Sequence, residues 1–280
     1  MRINLVVFAV VLLTAVTPSA KAAAVWTTID PPGSVNTQAA GINTAGQIVG
    51  GFFDAHQVFH GFLLSDGVYT TIDPPSSTYT QAWGINDSGQ ISGSYNDSAS
   101  YTHGFLLSDG VFKTLDFPKA VATYALGINN SGDIVGWADM PGGAYQGFLW
   151  KKGKYIALND PKGVKGTRAN GINDAGDIVG YYMNGAGAAV GFVLQNEKYR
   201  DILYPKARNT FVYDIANNRR LVGFAVSTVS TGFAFKSGWG FSRVNFPGGK
   251  GTDVVGINNV GQKVGSYRNG SGFHGFLKTP

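Results

Sequence analysis

Residues 37–73 read TQAAGINTAGQIVGGFFDAHQVFHGFLLSDGVYTTID. Short apolar runs alternate there with tight-turn signals. TQAAGIN closes on an N-x-x-G turn and QIVGGFF follows. A looser segment then leads into HGFLL, and Ser65-Asp66-Gly67 reverses the chain into VYTTID. Asn at the head of a turn and Gly at its close suit a type I turn followed by a positive-φ residue. The stretch predicts four short strands in an antiparallel meander.

The same pattern returns along the chain. GIN begins at Gly41, Gly84, Gly127, Gly171 and Gly256, with a degenerate DIA at Asp214, and a Thr stands four positions before each. HGF or a variant begins at His60, His103, Gln146, Val190, Thr231 and His274. WTTIDPP from Trp26 recurs as YTTIDPP from Tyr69, FKTLDFP from Phe112 and FSRVNFP from Phe241, with looser versions at Tyr155 and Tyr199. A repeat of about 43 residues marks a solenoid or a propeller. One twisted sheet of four strands cannot bury both faces, whereas copies stacked around an axis can. The expected fold is all-β, a six-bladed β-propeller of four-stranded antiparallel blades over residues 33–75, 76–118, 119–161, 162–205, 206–247 and 248–280. The frame opens on a fourth strand, Trp26 to Asp30, and ends on a third, His274 to Leu277. Residues 24–32 are therefore expected to complete the last blade and cover its open edge.

Composition fits this reading. Forty glycines in 280 residues, 13% aromatics and only 14% charged residues favour short strands and tight turns. The absence of cysteine excludes disulfides and thiolate metal ligands. Arg2, the apolar run Leu5 to Val16 and Ala20-Lys21-Ala22 make residues 1–22 a secretory signal, too short to span against the roughly 20 residues a bilayer needs. Removal leaves one domain, 23–280, secreted or periplasmic. The formal charge of +5 is too small to point to nucleic acid. Its distribution says more: residues 24–118 carry eight acids and one base, 119–247 eight acids and fifteen bases, and 248–280 one acid and four bases. One side of the ring is expected to be acidic and the other basic.

The G-I-N-x-x-G-[QD]-I-V-G core, followed about ten residues later by HGF, resembles the bacterial extracellular repeats of the HAF family, named for a His-Ala-Phe motif. Here Gly replaces the Ala, as at Gly61 and Gly104. The resemblance spans residues 26–280 and implies export and a repeat fold, but no chemistry. The fifth copy departs most, with Ala216 and Arg219 where Asn and Gly stand elsewhere.

The longer, variable loops after the second and fourth strands share one face, where a rigid scaffold presents function. Asn96, Asp97, Trp137, Tyr182 and Arg268 are its candidate ligand-binding residues, with Trp83, Tyr124, Asn170 and Tyr213 expected to line the central channel. Rings that stack on apolar sugar faces, with amides and carboxylates for hydroxyls, point to a glycan; an extracellular protein partner is the alternative. His60, His103 and His274 recur on third strands. Two strand spacings of about 4.8 Å from the innermost strand put them too far apart for a shared metal, which needs bonds of about 2 Å, so a repeated structural hydrogen bond is expected. Asp54, Asp97 and Asp139 hold near-equivalent loop places and form the catalytic set if the protein is a carbohydrate-active hydrolase or lyase. Asn173 to Asp177 is the ordinary repeat turn and lacks the ligand register of a calcium loop. No G-x-S-x-G, Walker loop or H-E-x-x-H occurs. The sequence thus predicts a monomeric, non-catalytic binding propeller with no cofactor, no metal and no span after signal removal.

Overall fold

Turn chemistry sets the strand boundaries. Asn43 Oδ1 accepts the Gln47 N–H at 3.0 Å, and the Gly46 N–H donates to Asn43 O at 3.0 Å. Gly46 sits at φ 85°, which a residue without Cβ adopts freely. Around such turns β2 (Asn36–Ile42), β3 (Ile48–Phe53), β4 (Phe59–Ser65) and β5 (Val68–Ile72) pair antiparallel in chain order. The computed structural model describes residues 24–280, so the expected signal lies outside the described residues.

Five more units follow the same plan. The second runs through β6 (Tyr79–Ile85), β7 (Ile91–Asn96), β8 (Thr102–Ser108) and β9 (Val111–Leu115). The third comprises β10 (Ala122–Ile128), β11 (Ile134–Asp139), β12 (Tyr145–Lys151) and β13 (Lys154–Leu158). The fourth is built of β14 (Thr167–Ile172), β15 (Ile178–Met183), β16 (Ala189–Gln195) and β17 (Lys198–Ile202). In the fifth stand β18 (Asn209–Ile215), β19 (Leu221–Val226), β20 (Ser230–Lys236) and β21 (Gly240–Arg243). The sixth has β22 (Thr252–Ile257), β23 (Lys263–Arg268) and β24 (Phe273–Thr279), and takes its fourth strand from the other end of the chain. That strand, β1 (Val25–Ile29), pairs antiparallel with β24 from Val25↔Thr279 to Ile29↔Gly275. The described residues are thus all β, in 24 strands.

Backbone hydrogen bonding groups these strands differently from the expected six separate sheets. Units four, five and six are four-stranded sheets, while units one to three join into one sheet of twelve. The links are single parallel pairs, Phe59↔Tyr79 and Thr102↔Ala122, where a third strand starts beside the next inner strand. At the first link the Phe59 and Tyr79 rings stack at 4.5 Å, which draws the two backbones together.

Apolar packing joins each unit to the next. The Phe of every HGF variant is fully buried: Phe62, Phe105, Phe148, Phe192, Phe233 and Phe276. Phe105 packs with Val49 and Ile72 of the first unit as well as Ala82, Ile85 and Ile91 of its own. Burying such a side chain contributes about 1.5–3 kcal/mol. Toward the axis the inner strands approach backbone to backbone. A Cβ on Gly41 would stand 2.6 Å from Trp83 O, and one on Gly84 2.5 Å from Leu126 O, so only glycine fits. Just below, Asn43, Asn86 and Asn129 each donate a side-chain N–H to the backbone oxygen of the next unit's Asn. Asn258 donates to Asn43 O at 2.9 Å, linking the last unit to the first. In unit five Ala216 offers no amide, and Asn173 turns to Asp177, which also accepts from Arg219 Nε at 2.9 Å.

β1 carries much of the last unit's apolar cover. Trp26 lies 5.4 Å from the ring of Phe246 and 5.3 Å from that of Phe276, and Ile29 is buried. Deleting residues 24–32 is expected to remove about 3–6 kcal/mol from these two side chains alone. Differential scanning calorimetry should show a melting temperature lower by about 6 °C or more.

Candidate functional site

Each inner strand carries a bulge near the axis. In β2, Ala39 faces Gly50 and Gly41 faces Val49, which leaves Ala40 unpaired. The bulged residue is Trp83 in β6, Asn170 in β14, Tyr213 in β18 and Val255 in β22. Bulges re-aim side chains, and these residues line a small cavity on the axis. Trp83, Asn170 and Tyr213 thus stand where the sequence places them. Tyr124 does not: it lies before the bulge of β10, pairs with Trp137 across the sheet, and stacks on that ring at 4.0 Å.

The channel is too tight for a sugar. Its two cavities have volumes of about 50 and 70 Å³, against the roughly 300–1,000 Å³ of a small-molecule site. The Asn170 amide is spent on Val212 O at 2.8 Å, and Trp83 Nε1 donates to Ser94 Oγ at 3.2 Å. Asp214, where other units carry glycine, reaches both cavities. Burial pushes its carboxyl up to about 6, although it accepts the backbone N–H groups of Ile257 and Ile215.

Larger spaces open on the variable-loop face between units five and six and between units six and one. At each junction the residue that starts a third strand meets a cross-strand pair from the next unit. The pairs are Gln38↔Gly51, Gln81↔Ser94, Tyr124↔Trp137, Arg168↔Tyr181, Phe211↔Phe224 and Asp253↔Ser266. One frame therefore presents six different chemistries.

Three of these clefts stand out. Between units three and four, the Arg168 guanidinium lies 3.8 Å from the Trp137 ring and 4.0 Å from that of Tyr145, and Arg168 Nη1 donates to Tyr181 Oη at 2.8 Å. Arg168 Nε is buried without a partner. Beside it, burial raises the pKa of Asp139, opposed by the Arg168 charge. Between units six and one, Gln38, Phe53, Phe59, Tyr79 and Phe273 line a cavity of about 260 Å³. Between units five and six, a cavity of about 330 Å³ is lined by Ser230, Lys250, Asp253, Tyr267, Arg268 and Phe273, among others. Burial pushes the Asp253 carboxyl up, a Ser230 hydrogen bond opposes this, and Asp253 Oδ1 is buried with no partner.

The remaining candidates divide. Arg268 lines the last of these cavities, with its guanidinium 5.6 Å from the Phe273 ring. Asn96 Oδ1 accepts from Thr102 Oγ1 at 2.9 Å. Asp97 Oδ1 accepts the N–H groups of Ala99 and Tyr101 and holds its own loop, as Asp54 does for His56 and Val58. These backbone hydrogen bonds, foremost from Tyr101 and Val58, hold both carboxyls below their usual pKa. Asp139 is not their equivalent. It ends β11, and Met140 takes the loop position, its N–H donating to Ala144 O at 2.9 Å. Tyr182 is not a surface residue either: it is 3% exposed, in the apolar core, with its hydroxyl on Asp201. Asp253, Lys250 and Arg168 escaped the sequence reading. For Arg168 and Asp253 the signal was present in the position three before each GIN glycine or its Asp214 counterpart, where no two copies but the first two agree; Lys250 lies outside that position.

The recurrent histidines serve the scaffold. Nδ1 of His60, His103 and His274 meets Asp73, Asp116 and Asp30 at 2.7, 2.9 and 2.7 Å, each Asp following a fourth strand. Gln146 and Asn159 form the uncharged version at 3.1 Å. The last His–Asp pair ties β24 to β1.

The solved structures similar to this chain share its architecture at low identity. A fucose-specific lectin from Aleuria aurantia matches at TM-score 0.50 and 14% identity, over 74% of this chain and 76% of its own. AofleA from Arthrobotrys oligospora matches at 0.53 and 10%, over 94% of each. A gluconolactonase from Xanthomonas campestris matches at 0.54 and 10%, over 88% of this chain and 89% of its own. This chain has the β-propeller fold. No protein-family model and no curated protein matches it.

Partial burial lowers the His103 pKa, but hydrogen bonds and charges from Asp116 and Asp97 outweigh it and hold the imidazole above its usual 6.5. A raised pKa contributes stability below about 6.5, and this fades as pH rises through the folded value. The stability gap between the native protein and His103→Gln should narrow between about pH 6 and 8 in urea melts, and Asp116→Asn should lower the imidazole pKa read by NMR.

Proposed function

We propose that this chain is an exported, non-catalytic, six-bladed β-propeller of the HAF-like bacterial repeats, and that it binds a glycan in the clefts between successive blades. Its blades are the six units, with the N-terminal strand completing the last. The observation that carries the reading is the cleft frame: one invariant scaffold presenting Gln, Tyr, Arg, Phe or Asp at a single repeated position. Natural scaffolds vary the positions that meet a ligand and keep those that fold.

The chemistry of the clefts fits saccharides. At the junction of units three and four the aromatic set packs on itself, with Trp137 held between the Tyr124 ring and the Arg168 guanidinium. The polar cavity between units five and six is therefore the better saccharide site. Asp253 lines a cavity of about 330 Å³ together with Ser230, Lys250 and Arg268, a mixed set of donors and acceptors suited to sugar hydroxyls. Convergent polar groups in a largely preformed hollow are what small-ligand sites share. The fucose-specific lectin among the similar structures supports the reading. The sequence-level alternative, hydrolysis by Asp54, Asp97 and Asp139, loses support, because Asp54 and Asp97 are occupied with their own loops.

On a glycan array the secreted protein should enrich defined saccharides without turning them over. A hydrogen bond to a charged group contributes about 1.5–3 kcal/mol, so Asp253→Ala should weaken a ligand of the last cleft about 10-fold or more by calorimetry. Release of reducing sugar from any enriched glycan would overturn the non-catalytic reading.

A further inference from the structure

The cleft between units five and six differs from its neighbours in charge. Lys250 and Arg268 both line it, and the backbone sets them side by side: the Lys250 N–H donates to Arg268 O at 2.8 Å, and the Arg268 N–H to Gly251 O at 3.2 Å. The corresponding hydrogen bond joins Val35 to Phe53, Thr78 to Asn96, Val121 to Asp139 and Val164 to Met183 in units one to four. Of these pairs only that of unit six brings two cations together. The adjoining hollow between units six and one shares Phe273 as a wall and has no charged residue in its lining.

No acid neutralises either cation among the described residues. The ion pairs of Lys or Arg there are Lys151–Asp133, Lys162–Asp201 and Arg219–Asp177. The Arg268 guanidinium meets only the Phe273 ring, at 5.6 Å, and both cationic side chains are exposed. Asp253 is the one acid of the cavity, and it sits deeper: its Oδ1 is buried, and burial pushes its carboxyl towards the neutral form. The hollow thus has a cationic rim above a floor that includes Ser230 and Asp253. Such a rim selects an anion. The guanidinium fork matches a carboxylate in planar, bidentate geometry, and the ammonium adds a point charge. The cavity, about 330 Å³, is of the size that small-ligand sites have, and its floor suits hydroxyls.

We propose, resting on the reading of the clefts as glycan sites, that this cleft takes a carboxylate-bearing saccharide of the uronic-acid class. Arg268 and Lys250 hold the carboxylate at the rim while the sugar hydroxyls face Ser230 and Asp253. The adjoining uncharged hollow has no such preference.

The test is calorimetric titration of the full chain with short oligomers of galacturonate, glucuronate, mannuronate and guluronate, alongside their methyl esters and neutral oligomers of galactose, glucose and mannose. At least one oligouronate is expected to bind, and its ester about 10-fold more weakly, with affinity for the acid falling as salt rises. Lys250→Gln with Arg268→Gln, both at exposed positions, should bring acid and ester to the same affinity and leave the melting temperature unchanged. Arg268→Lys keeps the charge and loses the fork, so it should weaken the acid and not the ester. Equal binding of acid and ester by the native protein, binding of neutral oligomers alone, or an acid preference that survives the double variant would overturn the proposal. In each of those cases the clefts remain glycan sites if Asp253→Ala weakens the saccharide that does bind. If no saccharide binds, charged or neutral, both the acid preference and the glycan reading fall.

Discussion

Backbone meets backbone at the centre of this molecule, and glycine permits it. With no Cβ at Gly41, Gly84, Gly127, Gly171 and Gly256, each inner strand settles within van der Waals reach of the next unit's carbonyl. That approach leaves cavities of only about 50 and 70 Å³ along the axis. It also brings the Asn side chains of the adjoining turns within reach of their neighbours, so that one turn's amide completes the next turn's carbonyl. A narrow centre splays the units apart farther out. The room for ligands therefore lies between units rather than along the axis.

Much of this architecture is legible in the sequence because turn chemistry and strand periodicity are local. The N-x-x-G and SDG turns fix the strand ends, and the frame of the repeats alone assigns Trp26 to Asp30 to the last unit. The recurring His on the third strand and Asp after the fourth are also visible, although only the folded sheet shows that they bond each other. What the sequence hides is set by register. A bulge one residue long sends Trp83 to the channel and leaves Tyr124, two places earlier in the repeat, on a cleft beside Trp137. Neighbouring residues likewise part company at the second strand's end, where Trp137 lines a cleft and Tyr182, one place later in the repeat, is core. The same one-residue shift separates Asp139 from Asp54 and Asp97. A side-chain period of two makes each such slip a change of face.

The fifth and sixth units depart from the pattern in related ways. Asp214 replaces the axial glycine, Ala216 the turn Asn, and Arg219 the turn Gly, while Lys263 and Lys278 replace core residues across the junction. Four of these exchanges put an ionisable residue, and Ala216 an apolar one, where the other units hold a scaffold residue. The junction also contains hollows of about 330 and 510 Å³, one on each face. Repeats elsewhere conform to the fold; here the pattern is relaxed and space opens.

The pairing of β1 with β24 has a consequence for the order in which the molecule forms. The two strands lie some 250 residues apart, so neither edge is satisfied until both are in place. Loop closure over such a span is slow, because its entropy is lost before any contact is gained. Units one to five can pair their strands locally, whereas the sixth waits on a contact between distant parts of the chain.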